Sequence, residues 1–430
     1  MHPKQLLDHC TALTAHLLRF EHPAETVVGR YFREQRALGP RERSTVAETV
    51  YAILRKKPLF EWLARSGRGA PERRLAILGF AGARHVLLAA LSPEEQQWLA
   101  ACDQAKADTL PEALTHNLPQ WLAEALQTQL GPRFDAAAAA LLQAAPLDLR
   151  INILQTKRSA VLETLQREGI AATATPYSPW GIRLADKPAI SRLELFRNGH
   201  IEVQDEGSQL LALLLDARRG EMVADFCAGA GGKTLALGAA MRNTGRLYAL
   251  DTSAHRLEQL KPRLARSGLE NVYPMAIADE HDERLQRLAG KIDRVLVDAP
   301  CSGLGTQRRQ PDLKWRQTPD QVQAFTERQK SILSQAAHLL KPGGRLVYAT
   351  CSLLPAENEA VALEFSAAQG ALFTPLNATQ LLQGLKVQGA AQLCIPATNA
   401  FGVEAGRYLR LWPDLHGTDG FFGAAWQKAG

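Results

Sequence analysis

The stretch Val295-Leu296-Val297-Asp298-Ala299-Pro300-Cys301-Ser302-Gly303-Leu304-Gly305 decides how the chain reads. Its first three residues are apolar, two of them β-branched, as in a buried strand. The run ends in Asp298, and a cysteine follows three residues later. Gly303 and Gly305 then let the backbone bend freely. Fifty residues on, the pattern recurs as Arg345-Leu346-Val347-Tyr348-Ala349-Thr350-Cys351-Ser352. In a parallel sheet the loops after the strands line the ligand crevice. Two thiols and a carboxylate are therefore expected to converge on one site.

Working outward, β-rich runs at 222–226, 246–250 and 272–277 precede the central one, with helix-sized segments between. That alternation predicts βαβ units and an α/β, doubly wound, mainly parallel sheet over residues 210–430. A late pair near 392–395 and 407–411 predicts an edge hairpin. Residues 146–209 mix short strand-like runs, such as Asp148 to Leu154, with helical ones and read as a small α/β insert. Residues 1–145 read as an all-helical domain. Leu6, Cys10, Leu13 and Leu17 share one helical face, as do Val46, Val50 and Ile53. Ser92-Pro93-Glu94-Glu95 is a capping box, and Pro119 opens a helix that Gly131-Pro132 ends.

The length of 430 residues accommodates two or three domains, and 46% hydrophobic residues suffice for sizeable cores. The polar N-terminus and the absence of a long apolar run predict a cytoplasmic protein without membrane contact. None of the six cysteines forms a CxxC pair, so no metal site is expected. Free thiols in a reducing compartment are core fillers or catalysts; Cys10, Cys102 and Cys394 take the first reading. Between Gly29 and Arg84 stand 13 Lys/Arg against five acids, while the whole chain carries only +6. This basic module is either a solvated helical face or a surface for a polyanion.

The loop Asp225-Phe226-Cys227-Ala228-Gly229-Ala230-Gly231-Gly232-Lys233-Thr234 follows a strand and opens a helix. Such loops bring backbone N–H groups close to a ligand. A Walker A loop requires glycine where Cys227 stands, and a dinucleotide fingerprint requires it at Thr234, so both fail. S-adenosyl-L-methionine (AdoMet) is the common user that is left. Asp251, twenty residues past Gly231, ends the next strand and is placed for both ribose hydroxyls. Asp279, after the third strand, is placed to reach the adenine, although it is one acid among several there.

The cysteines suggest a reaction. A pyrimidine C5 attacks a sulfonium methyl poorly until a thiolate adds at C6. The addition also needs a group at N3 to hold the developing charge. Cys351 and Asp298 can supply these parts, and Cys301 can assist when the C5 proton leaves and the C6–S bond breaks.

With these residues in view, the chain resembles the RNA cytosine-C5 methyltransferases of the Sun/Fmu (RsmB-like) group over nearly its whole length. Asp298-Ala299-Pro300-Cys301 and Thr350-Cys351-Ser352 resemble that family's two cysteine motifs. Arg308 to Trp315, Gln204 to Ser208 and His416 to Phe422 resemble further segments of it. The resemblance implies a class I AdoMet-dependent methyltransferase fold with a NusB-like RNA-binding domain at 1–145, the insert at 146–209 and the catalytic domain at 210–430. It implies Cys351 as nucleophile, Cys301 in product release, and Cys227 to Lys233, Asp251, Asp279 and Asp298 as the AdoMet site. Its substrate would be RNA, ribosomal before transfer RNA, and a monomer is expected. Gly229-Ala230 departs from the family's usual Ala-Pro and leaves the target nucleotide open. Arg308, Arg309 and Lys314 are expected to meet phosphates. Trp315 stacks a base or anchors the loop.

Overall fold

The structure, a computed structural model, describes residues 1–104, 111–395 and 402–430. The chain forms two compact units, one of residues 1–144 with 307–317, the other of 145–306 with 318–430.

The first unit is helical. Helix Pro3–Leu17 buries Leu6, Cys10, Leu13 and Leu17, the predicted stripe. It packs with Pro40–Arg55, which buries Val46, Val50 and Ile53. Ser92 caps helix Pro93–Asp103 in the expected reciprocal box with Glu95. The segment 307–317 is built into this unit. Trp315 packs against its core and donates from Nε1 to the Leu54 carbonyl at 2.6 Å. Trp315 is therefore an anchor.

The second unit holds two sheets. The smaller contains β1 (Leu147–Ile151), β2 (Ala172–Ala174), β3 (Gly181–Leu184) and β4 (Ile201–Val203), all antiparallel in the order β2-β3-β1-β4. Helix Arg158–Arg167 covers it through Val161 and Leu165. This sheet falls within the segment 146–209 and belongs to the same compact unit as the larger sheet. Asn152 donates to the Ser267 carbonyl at 2.9 Å, and buried Glu202 pairs with Arg263 at 3.0 Å and with Arg266. Glu206 accepts the backbone N–H groups of Tyr177 and Ser178, each at 2.7 Å.

The larger sheet contains β5 (Met222–Asp225), β6 (Arg246–Asp251), β7 (Val272–Ala276), β8 (Ile292–Asp298), β9 (Leu340–Thr350), β10 (Phe373–Pro375), β11 (Leu409–Leu411) and β12 (Phe421–Lys428). The path runs β10-β12-β9-β8-β5-β6-β7, and β11 pairs with β12. The five strands β9, β8, β5, β6 and β7 are parallel, as predicted. Alternate residues feed cores on opposite faces. Val223, Leu296 and Val347 join one, and Ala224, Val295 and Leu346 the other. That is the period-two signature of a sheet covered on both sides. The predicted strand at 392–395 is instead a 3-10 turn, Gln392–Cys394, with Leu393 and Cys394 in the core. The partner of β11 is β12, which inserts antiparallel between β9 and β10.

Candidate active site

Beta-strand order reverses at β5, between β6 on one side and β8 on the other. Such a reversal opens a crevice at the carboxyl ends of the strands. A cavity of about 690 Å³ lies there, in the size range of cofactor sites. Of the expected cofactor and catalytic groups, the glycine loop, Asp251, Asp298, Cys301 and Cys351 line it. Asp279 does not. It is exposed, its Oδ1 accepts the His281 N–H at 2.8 Å, and Ile277 and Glu280 form the wall at that level.

The glycine loop turns through two left-handed residues, Gly229 (φ +57°) and Gly231 (φ +84°). A Cβ on Gly231 would overlap Leu260, so only glycine fits that turn. Asp251 holds the loop: its Oδ2 accepts from Gly229 N at 2.8 Å and its Oδ1 from Ser253 N at 2.7 Å. A carboxylate offers about four acceptor sites, which leaves two for hydroxyls entering the cavity. At the base of the loop Asp225 is buried. Burial pushes its carboxyl up to about 7, against the hydrogen bond from Thr234 at 2.7 Å. Burial also drives the Cys227 thiol well above its ordinary value, so it forms neutral wall.

Lys233, nine-tenths buried, places Nζ 2.7 Å from Asp298 Oδ2. Burial alone would lower its pKa, but the Asp298 charge and hydrogen bond outweigh burial and raise it. Beyond this pair the two thiols meet, Cys301 Sγ and Cys351 Sγ 3.4 Å apart. The hydrogen bond with Cys351, then burial, pushes Cys301 well above the usual thiol range. The close approach depends on Gly305, where a Cβ would overlap the carbonyls of Cys351 and Gly420. Gly305 N donates to the Cys351 carbonyl at 2.8 Å instead.

Several groups escaped the sequence reading. Phe325, Arg328 and Ile332 line the cavity from helix Pro319–His338. Their spacing of three and four was a legible signal. Arg256 and Ser208 also line it. Behind the thiols, wholly buried Glu357 joins the two cysteine loops. A buried acid in a polar run carries no sequence signal.

The expected phosphate contacts need correction. Lys314 is 2% exposed, and its Nζ donates to the carbonyls of Arg55 at 2.9 Å and Asn117 at 2.7 Å. Burial, then the nearby Arg55 charge, pushes it down to about 7. It ties the helical unit together and does not present a charge to RNA. Arg308 is likewise buried, and Arg309 is half-buried.

A doubly wound sheet with a glycine turn, a ribose-competent acid and a strand-end cavity defines a class I AdoMet-dependent methyltransferase. Residues 212–427 match the family described as 16S rRNA methyltransferase RsmB/F, and residues 118–191 match its ferredoxin-like domain. The chain belongs to that family, and its cofactor is AdoMet. It is 30% identical over 413 residues to ribosomal RNA small subunit methyltransferase B of Xanthomonas campestris, covering 91% of this chain and 90% of that one. It is 38% identical over 250 residues to the protein so named in Pseudomonas syringae, covering 58% and 55%. A methyltransferase homolog from Pyrococcus horikoshii, solved by crystallography, superposes at TM-score 0.63 and 30% identity over 75% of this chain and 99% of that one. The crystal structure of PH0851 shares the fold at TM-score 0.79 and 23% identity, covering 100% and 99%.

Proposed function

We propose that this rRNA methyltransferase acts on C5 of a cytosine in small-subunit ribosomal RNA, through a covalent bond between Cys351 and C6. The observation that carries the reading is the pair of thiols 3.4 Å apart beside the Lys233–Asp298 pair at the cavity. When bound, AdoMet supplies the electrophilic methyl group. The glycine loop from Cys227 to Lys233 and Asp251 hold it, with Asp298 at its border.

Cys351 attacks as thiolate, with the Cys301 S–H as its hydrogen-bond donor. The S–C6 bond forms, and the C5–C6 electron pair becomes available at C5. Asp298 contacts N3, and the Lys233 ammonium supplies the proton that a hydrogen bond to N3 requires. After methylation the C5 proton passes to solvent, its electrons restore the C5–C6 double bond, and the electrons of the C6–S bond leave with the Cys351 sulfur. Cys301 serves this last step by protonating the departing sulfur. A base stacked in a helix cannot reach the thiols, so the cytosine is single-stranded or extruded. The basic excess between Gly29 and Arg84, with Arg309, contributes salt-dependent affinity. A ribosomal substrate implies a cytoplasmic enzyme.

The test is nucleoside analysis by mass spectrometry of small-subunit rRNA after reaction with isotopically labelled AdoMet. Label in 5-methylcytidine is expected; label only in another nucleoside would overturn the reading.

A further inference from the structure

The Glu357 carboxylate does not line the cavity, yet it is the joint of the reactive centre. Its Oε1 accepts from Ser302 N at 2.8 Å and from Gln329 Nε2 at 3.1 Å. Its Oε2 accepts from Ser302 Oγ at 2.6 Å and from Ser352 Oγ. Ser302 follows Cys301 directly, and Ser352 follows Cys351. The two serine hydroxyls are themselves 3.2 Å apart. Every partner reaches Glu357 as a donor, which suits a group that only accepts. The surroundings are equally fixed. Gln329 Nε2 also donates to the Pro300 carbonyl at 2.9 Å, Tyr348 Oη to the Glu357 carbonyl at 2.5 Å, and Asn358 Nδ2 to the Ser352 carbonyl at 3.0 Å.

We infer that Glu357 is a positioning residue for methyl transfer: it clamps Ser302 and Ser352 together and so sets the separation of the Cys301 and Cys351 thiols. The inference rests on the two-thiol reading above. Backbone bonds also join the two loops, from Ala299 N to the Ala349 carbonyl at 2.9 Å and from Gly305 N to the Cys351 carbonyl at 2.8 Å, but neither holds the residues that follow the cysteines to each other. The Glu357 side chain ties the two residues that follow the cysteines to one acceptor. Reaction rates are sensitive to such placement, and a shift of about 1 Å costs about 100-fold.

Three substitutions separate position from charge and from folding. Glu357→Ala removes the acceptor that two N–H donors and two hydroxyls share. Glu357→Asp keeps the charge but is one methylene too short to span both loops. Glu357→Gln keeps the length: its oxygen serves the two N–H donors, and its amide donates to the serine hydroxyls, which can reverse. Single-turnover methyl transfer is measured on each folded variant, with AdoMet affinity by calorimetry. The rate is expected to fall about 100-fold in Glu357→Ala and Glu357→Asp and to return to within about tenfold in Glu357→Gln, with AdoMet Kd within about twofold throughout. A wild-type rate in Glu357→Ala or Glu357→Asp would overturn the clamp. So would a loss of AdoMet binding in step with activity, which indicates a merely structural role. Cys351→Ala is run in parallel: full activity there sinks the two-thiol reading itself, whereas a dead Cys351→Ala beside a fast Glu357→Ala sinks only the clamp.

Discussion

Lys233 and Lys314 are both buried lysines in the first turn of a helix, in segments that carry family-like motifs, and their ammonium groups meet different partners. Lys233 faces a carboxylate, Asp298, at the wall of a cavity. Lys314 faces two backbone carbonyls inside the helical unit. Burial opposes charge at both. At Lys233 the Asp298 anion restores it, whereas at Lys314 burial and the nearby Arg55 charge bring the pKa down to about 7. A buried cation held by an anion beside open volume is available to chemistry. A buried amine spent on carbonyls satisfies backbone that would otherwise be orphaned. Residue type and motif do not distinguish the two; the partner atom does.

The sharpest way to break this contrast lies beside Lys233. Cys351→Ala should lower turnover by about 10⁴-fold or more while AdoMet binding survives. An active variant would show that the Lys233 side is as inert as the Lys314 side. Cys301→Ala should stall after attack and leave a protein–RNA adduct on a denaturing gel, whereas clean turnover would deny Cys301 its part in release. Asp251→Ala should weaken AdoMet by about 10- to 100-fold, the worth of hydrogen bonds to a charged acceptor. Calorimetry reads this directly, and unchanged affinity would place the ribose elsewhere.

The smallest effect belongs to Lys314, and it concerns stability. Its folded pKa of about 7 lies below the 10.5 of an ordinary lysine. Between these values the unfolded chain binds more protons, so stability contributed by this residue rises with pH from about 7 toward 10 and is flat below 7. Thermal melts of wild type and Lys314→Met at pH 7 and pH 9 should show the wild type gaining relative to the variant. Equal shifts would mean that the amine is charged throughout. The same variant should leave the salt dependence of RNA binding unchanged, because Lys314 neutralises no phosphate.

Much of the catalytic unit was legible. The parallel strands announced themselves through apolar runs bounded by turn residues, and the chemistry-bearing residues stood at their ends. The edge of the sheet was less so. β12 includes Gly423, Ala424 and Ala425, small residues without the alternation of a half-buried strand. Leu393 and Cys394 were strand-like in composition but turn into the core as a single helical turn. Short apolar runs do not distinguish these cases, because burial rather than period is what they record.

By itself the sequence determined the parallel sheet, the glycine turn and the delivery of Asp298, Cys301 and Cys351 to one end of it. Those follow from local periodicity and from the topology that βαβ units enforce. Only the tertiary structure decided how these groups pair: Lys233 with Asp298, Cys301 with Cys351, both cysteine loops with Glu357, and Lys314 with backbone. Apart from the short span between Ser352 and Glu357, these pairings join residues far apart in the chain, and the partner is chosen by which buried donor or acceptor would otherwise be left unsatisfied.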